Sequence, residues 1–412
     1  MLDVREPKTY IERFLKIKTK ENRIVPFRLN SPQEKLYETI KGQRQAGKPV
    51  RVIILKARQM GFSTLTEGLL FHDSATRFNV TSMVVAHQED STNNVFSMAK
   101  LFYDELPEPL KPMRKSSNAQ ELSFENPTKD PEEKRREPGL RSKIRCVTAG
   151  GRGIARSFTL TNVHISEYAF WPGDKRAVLG GLLQAVPDLP GTMVVIESTA
   201  NGYEDFKARW DAAVRGESDY EPLFFPWHEM AEYRRPVPPG TTWTREELEL
   251  QRAYGLDGEQ LSWRRWCIRN NCGGDERLFR QEYPASPDEA FLTTGQCVFD
   301  QEALVCWREQ APEPLERGEF RYDYDGLTLT NIGFSPRENG FIRLYEQPRA
   351  GVPYVVGGDT AGEGSDNFTA QVLDNTTGKL VATLCHQFDE GLYARDVYKR
   401  QRDGRAVPAP DV

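Results

Sequence analysis

Between positions 51 and 201 the chain alternates short apolar runs with stretches of helical periodicity. RVIILKA (51–57), SMVVAHQ (82–88), SKIRCVTA (142–149), NVHISEY (162–168) and TMVVIEST (192–199) are rich in Val and Ile and bounded by polar residues or Gly. That pattern predicts buried strands. Strands separated by helical stretches predict a parallel sheet covered on both faces. Ahead of them, Pro32 to Lys41 reads as a helix with Ser31 as its N-cap. RRPVPPGTTW (234–243) is Pro/Gly punctuation of the kind that separates domains. The charged segments TREELELQRAYG (244–255) and GEQLSWRRWCIRNN (258–271) then read as helices of a linker subdomain. Strands return with FIRLYEQ, PYVVGGDTAG, FTAQVLDN and KLVATLCHQF after Gly340, as the start of a second α/β or mixed sheet. After HQFDEGLYARD, which reads as a helix start, the periodicity stops, so the second sheet is expected to be incomplete at its C-terminus.

At 412 residues the chain has room for two cored domains. Its charged fraction of 28% is ordinary for a globular protein. No apolar run approaches the ~20 residues needed to span a bilayer. The polar N-terminus carries no visible secretory signal. Six scattered cysteines lack metal spacing and read as reduced thiols of a cytoplasmic protein. The net charge of −5 does not advertise a nucleic-acid binder, although a local basic surface is compatible with it. The best local run, from Lys129 to Arg156, reads equally well as a solvated loop.

Three strand ends carry chemistry. LKARQMGFST follows a buried strand and precedes a helix, so its backbone N–H groups and helix dipole suit a phosphate. Against G-x-x-x-x-G-K-[ST], Gly61 and Ser63 fit, while Phe62 holds the lysine position and Lys56 the first glycine position. Alone, such a match is more often a simple strand–helix turn. Downstream, an apolar strand ends in Ser166-Glu167, where additional-strand ATPases place Asp-Glu, the Asp for Mg²⁺ and the Glu for the attacking water. With Ser166 in place of Asp, any metal role there runs through a hydroxyl or a bound water. A third strand ends in Ser198, Thr199, Ala200 and Asn201, small groups suited to sensing a γ-phosphate.

Taken together, PFRLNSPQEKLY, LKARQMGFST, GGRGIARSFTLTNVHISEYAFW and IESTANG resemble the large terminase subunits of tailed bacteriophages. RQEYPASPDEAFLTTGQCVF resembles the segment those proteins carry between ATPase and nuclease, and the resemblance runs from about Pro26 to Asp374. It implies an α/β chain: an additional-strand P-loop NTPase domain (1–235), a linker subdomain (236–295) and a partial RNase H-like nuclease domain (296–412). The nucleotide site would comprise Gln33 as adenine reader and Lys56, Ala57, Arg58, Gln59, Met60, Gly61, Phe62, Ser63 and Thr64, with Lys56 as the displaced lysine. Glu167 would be catalytic, Arg152 or Arg156 the arginine finger, and Ser198 to Asn201 the coupling segment. Ser63 and Ser166 would serve Mg²⁺. Asp359, with Asp366, would begin a nuclease centre using Mg²⁺ or Mn²⁺, whose later ligands have no counterpart. The implied cofactor is ATP. The implied partners are double-stranded viral DNA, a portal protein, a small terminase subunit and further copies in a ring, without a membrane. The setting would be the host cytoplasm, with transient docking on the procapsid. Two rival readings are a helicase-like ATPase and a degenerate ATPase fold kept for docking.

Overall fold

The structure is a computed structural model that describes residues 4–117, 120–150, 159–202, 205–292, 310–325, 328–359 and 367–386. It divides into two compact units, Met1–Gln301 and Glu302–Val412.

The first unit opens with α1 (Pro7–Phe14), a hairpin of β1 (Lys16–Lys18) and β2 (Ile24–Pro26), and α2 (Ser31–Gln45). The cap of α2 is Asn30 rather than Ser31. Asn30 accepts from the Gln33 N–H, and the Gln33 side chain accepts from the Asn30 N–H, a reciprocal box that satisfies two otherwise orphaned donors. The alternation then runs through β3 (Val50–Lys56), α3 (Phe62–Thr76), β4 (Thr81–Ala86) and α4 (Glu89–Glu105). It continues with β5 (Ser116–Ser117), β6 (Glu121–Glu125), α5 (Pro131–Arg136), β7 (Gly139–Thr148) and β8 (Asn162–Ser166). Last come α6 (Lys175–Leu183), β9 (Met193–Ser198), α7 (Asp205–Val214) and β10 (Glu221–Phe225).

These strands form one eight-stranded sheet in the order β10-β3-β9-β8-β4-β7-β6-β5. Every pairing from β10 to β7 is parallel, and β6 and β5 add an antiparallel edge. All residues of β3, β8 and β9 are buried, as parallel strands covered on both faces must be. Alternate side chains serve opposite cores. Val52, Ile54, Val84 and Val195 pack with α2, α3 and α4. Ile53, Leu55, Val85, Ile165 and Ile196 pack with α6 and α7. The basic run does not form a plain loop: Lys134 to Arg136 end α5, and Arg141, Lys143 and Arg145 alternate along β7 with the buried Ser142, Ile144 and Cys146. Arg152 and Arg156 lie outside the described residues.

Four helices follow: α8 (Arg245–Tyr254), α9 (Gly258–Asn270), α10 (Glu276–Glu282) and α11 (Pro287–Leu292). They share the core of the sheet domain. Trp263 of α9 stacks on Trp227 and Tyr233, with ring centroids 5.2 and 4.3 Å apart, and Phe279 of α10 joins them. Ala290 and Phe291 of α11 enter the core on the other face. Among the described residues no helix is long and apolar enough to cross a membrane.

The second unit contains β11 (Glu316–Asp325), β12 (Thr328–Pro336), β13 (Ile342–Leu344), β14 (Tyr354–Asp359), β15 (Phe368–Asp374) and β16 (Leu380–His386). Their order is β12-β11-β13-β16-β15-β14, and every pairing among the described residues is antiparallel. Ile342, Phe368, Ala370 and Leu384 form its small core. The β11–β12 hairpin precedes the strands expected after Gly340.

Candidate nucleotide site

The ends of β3, β8 and β9 meet beside the N-terminus of α3. After β3 the chain turns through Ala57 to Gly61, where Gln59 takes φ 55° and Gly61 φ 82°. Glycine is required at 61 by its left-handed backbone, and a Cβ there would stand 2.7 Å from Gln33 Nε2. Gln33 itself donates from Nε2 to the Gly61 carbonyl at 2.6 Å, while Asn30 Nδ2 donates to the Met60 carbonyl at 3.1 Å. The residue expected to read adenine therefore also ties α2 to the loop. The N–H groups of Ala57 and Arg58 donate to the carbonyls of Phe225 and Glu282. The stretch from Gln59 to Thr64, which opens α3, is the part placed to present N–H groups to an anion.

Phe62 faces the core. Its ring is buried against Phe225, centroids 4.3 Å apart, so at this position the side chain serves the core. A buried cation, Lys56, stands at the end of β3. Its Nζ lies 2.7 Å from Glu167 Oε1, and the lysine side chain is only 6% exposed. Burial works to lower the ammonium pKa, but Glu167 and Glu197 outweigh it and raise the value. Glu167 sits just past β8 with φ 50° and ψ 50°, a strained conformation for a side chain of this size. Its second oxygen accepts from the Thr199 N–H at 3.3 Å. The neighbouring segment is tied to the same turn. Ser198 Oγ accepts from the Ala169 N–H, and Asn201 Nδ2 donates to the Ala169 carbonyl. The Ala200 carbonyl accepts from Gln281 Nε2 of α10 at 3.2 Å. Arg58 is exposed and pairs with Glu282 of α10 at 3.2 Å. The same helix thus touches both the loop and the segment after β9.

Beneath the loop lies a buried polar chain that sequence reading did not single out. His164 of β8 bridges two carboxylates, with Nδ1 2.9 Å from Glu67 Oε1 and Nε2 3.0 Å from Glu197 Oε1. All three side chains are fully buried. Burial opposes charge on His164, yet hydrogen bonds to Glu197 and Glu67 raise its pKa to about 9. Burial likewise opposes charge on Glu197, but Lys56, His164 and Ser63 lower it to about 2. Ser63 Oγ donates to Glu197 Oε1, and Ser166 Oγ lies 3.5 Å from the same oxygen. One signal was available in the sequence: a His and a Glu inside otherwise largely apolar strands.

In the second unit Asp359 ends β14 exposed to solvent, opposite Thr369. Asp366 lies outside the described residues. Asp374 is buried and serves a turn, accepting from Thr376 and Thr377 and pairing with Arg349. Among the described residues no group of three or more His, Cys, Asp or Glu side chains is arranged to hold a metal ion.

A parallel sheet in which β9 lies between β3, which leads into the glycine turn before α3, and β8, which ends beside Glu167, has the additional-strand P-loop architecture. The structure is similar to that of the HK97 bacteriophage large terminase, at 14% identity and a TM-score of 0.51, over 93% of this chain and 67% of that one. That likeness shows the fold. Weaker matches are the ATPase domain of the Thermus phage P74-26 large terminase and the large terminase of the thermophilic bacteriophage D6E in complex with ADP. The P74-26 match has 16% identity and a TM-score of 0.41, over 63% of this chain and 99% of that one. The D6E match has 13% identity and a TM-score of 0.41, over 76% and 66%. No family model and no curated protein matches the sequence.

Proposed function

We propose that the first unit hydrolyses ATP and that the chain is the motor subunit of a viral DNA-packaging machine. The observation that carries this reading is the convergence of Lys56 and Glu167 beside an α-helix N-terminus, from strands held apart by β9. In this scheme Lys56 neutralises phosphate charge, and the N–H groups from Gln59 to Thr64 cradle the phosphates. Arrival of a phosphate at Lys56 Nζ releases Glu167, which then orients the attacking water and accepts its proton. The Thr199 N–H, already on Glu167 Oε2, reports that release to the coupling segment Ser198 to Asn201. Mg²⁺, held at Ser63 with Ser166 alongside, would offset charge on the phosphate oxygens. Gln33 is assigned to adenine, and Arg152 or Arg156 to stabilising a neighbouring subunit's γ-phosphate; contact with DNA phosphates is the alternative for the arginines.

From the resemblance, the partners are double-stranded viral DNA, a portal protein, a small terminase subunit and further copies in a ring, in the host cytoplasm. Asp359, with Asp366, is assigned to an RNase H-like nuclease centre that takes Mg²⁺ or Mn²⁺. The helicase alternative needs a second parallel RecA-like lobe. The antiparallel pairings of the second unit count against it. ATP turnover with and without duplex DNA, alongside a strand-separation assay, tests the proposal. Duplex-stimulated hydrolysis without unwinding is expected. Unwinding would favour the helicase, and absence of hydrolysis under all conditions would favour a docking module.

A further inference from the structure

The strand that should carry a metal-positioning aspartate ends in Ser166 instead. The position beside it is not short of acid. Glu197 of the adjacent strand β9 is paired in register with Ser166, and its Oε1 accepts from Ser63 Oγ, with Ser166 Oγ 3.5 Å away. Ser63 is the hydroxyl at the head of α3 assigned to the cation. We propose that Glu197 supplies, from the additional strand, the acidic group that positions the nucleotide's divalent cation at Ser63, in place of the aspartate that β8 lacks.

Three observations carry this assignment, which rests on the nucleotide-hydrolysis reading above. First, Glu197 places a fully buried carboxylate one residue from the C-terminal end of β9, directly against the hydroxyl of Ser63. Second, its hydrogen bonds all fall on Oε1, from Ser63, His164 and Ser166. Oε2 is buried without a hydrogen-bond partner, an orphan that a metal-bound water would satisfy. Third, the carboxylate is held rigidly from behind. His164 Nε2 bonds Glu197 Oε1 at 3.0 Å while His164 Nδ1 bonds Glu67 Oε1 at 2.9 Å, so the carboxylate is fixed by a buried partner that is itself fixed. Glu197 is thus a positioning residue: it aims the Ser63 hydroxyl and a water at the cation rather than touching the nucleotide.

The test uses the full chain, Mn²⁺ as a paramagnetic probe, and a non-hydrolysable ATP analogue. In the wild type, the analogue should tighten Mn²⁺ binding. In Glu197→Gln, Mn²⁺ affinity in the presence of analogue should fall about 10–100-fold, the range for removing a group that orients metal ligands, while metal-free analogue binding stays unchanged. Ser166→Asp placed in that variant returns a carboxylate to the neighbouring strand end and should restore Mn²⁺ affinity. A purely structural Glu197 would lower both affinities together and would not be rescued. If Glu197→Gln does not fold by circular dichroism, Glu197→Asp carries the test, since it keeps the charge but withdraws it by one methylene. Unchanged Mn²⁺ affinity in a folded Glu197 variant that still binds the analogue overturns this proposal alone. A wild-type chain that binds no analogue overturns the hydrolysis reading and this proposal with it.

Discussion

Lys56 and Glu167 form an ion pair of 2.7 Å across the C-terminal edge of the sheet, one at the end of β3 and the other just past β8. The pair matters because each partner is wanted elsewhere once a nucleotide arrives. Lysine is drawn to phosphate, and the carboxylate to water. The ion pair also holds the strained left-handed turn at Glu167 in place.

The lysine reads from sequence as a loop-edge residue with little role in packing. The structure buries it, and the prediction changes accordingly. Lys56→Ala should abolish ATP turnover and also destabilise the fold. Removing one partner of a fully buried pair costs about 3–5 kcal/mol, and about 1–3 kcal/mol is expected here because Glu167 keeps some access to water. Steady-state hydrolysis and urea titration of the variant check the two parts separately. Turnover near the wild-type rate would move the phosphate-neutralising role to Arg58.

Glu167→Gln retains size and hydrogen bonding while removing the base. Nucleotide affinity should persist, and hydrolysis should slow about 10²–10⁴-fold, the usual contribution of a positioned general base. Equilibrium binding of a fluorescent ATP analogue, measured beside single-turnover hydrolysis, separates the two. Loss of binding together with hydrolysis would mean that the residue is structural.

Acid stability should depend on Asp73. This buried α3 carboxylate lies 2.8 Å from Arg44 of α2 and 3.5 Å from Arg77, and it accepts from Asn162 Nδ2 of β8. Burial works to raise its pKa, but Arg44, His72 and Arg77 outweigh that and lower it below the ordinary 3.8. A depressed folded-state value means that the stabilisation is fully present above the unfolded pKa and is lost as pH falls through the folded one. Asp73→Asn should therefore cost about 3 kcal/mol near neutrality, and its deficit should shrink once pH drops below the ordinary carboxylate value. Thermal melts of both proteins from pH 6 downward read this directly. A deficit that stays constant into strong acid would contradict it.

Asp359 offers a contrasting case. Being exposed at the end of β14, it should tolerate Asp359→Ala with a stability change within about 0.5 kcal/mol and with ATP turnover intact. If it is a nuclease ligand, any Mn²⁺-dependent nicking of plasmid by the wild-type chain should disappear in the same variant. A large loss of stability would instead assign it a role in the sheet.

Much of the first unit is legible along the chain because its strands are continuous apolar runs. RVIILK, NVHIS and MVVIES are β3, β8 and β9 within a residue or two. The strands that escape are those whose composition disguises them. EPLFF begins with Glu-Pro yet becomes β10 because it lies at the sheet edge, where the missing N–H of Pro222 is tolerated. The hairpin of β11 and β12 is rich in charged and polar residues, so its alternation carries little hydrophobic signal. Phe62 and Gln33 show the same limit at the site. A motif position names the residue but not whether its side chain faces a ligand, a core or a neighbouring loop.

The sequence alone determined the local elements, the glycine at 61 and the order of the strand-end motifs, because propensity, backbone conformation and periodicity act over a few neighbours. Tertiary structure alone decided which strand ends meet. Inserting β9 between β3 and β8 sets the Lys56–Glu167 pair and brings Glu197 under Ser63, 134 positions away in the chain. Parallel pairing is a long-range choice whose hydrogen bonds are alike for any apolar strand, so no residue along the chain announces its neighbour. The buried Glu67–His164–Glu197 chain shows why that choice governs chemistry. Each of these residues is costly to bury by itself, and only the fold, by placing the three side by side, lets His164 bond both carboxylates and offset much of that cost.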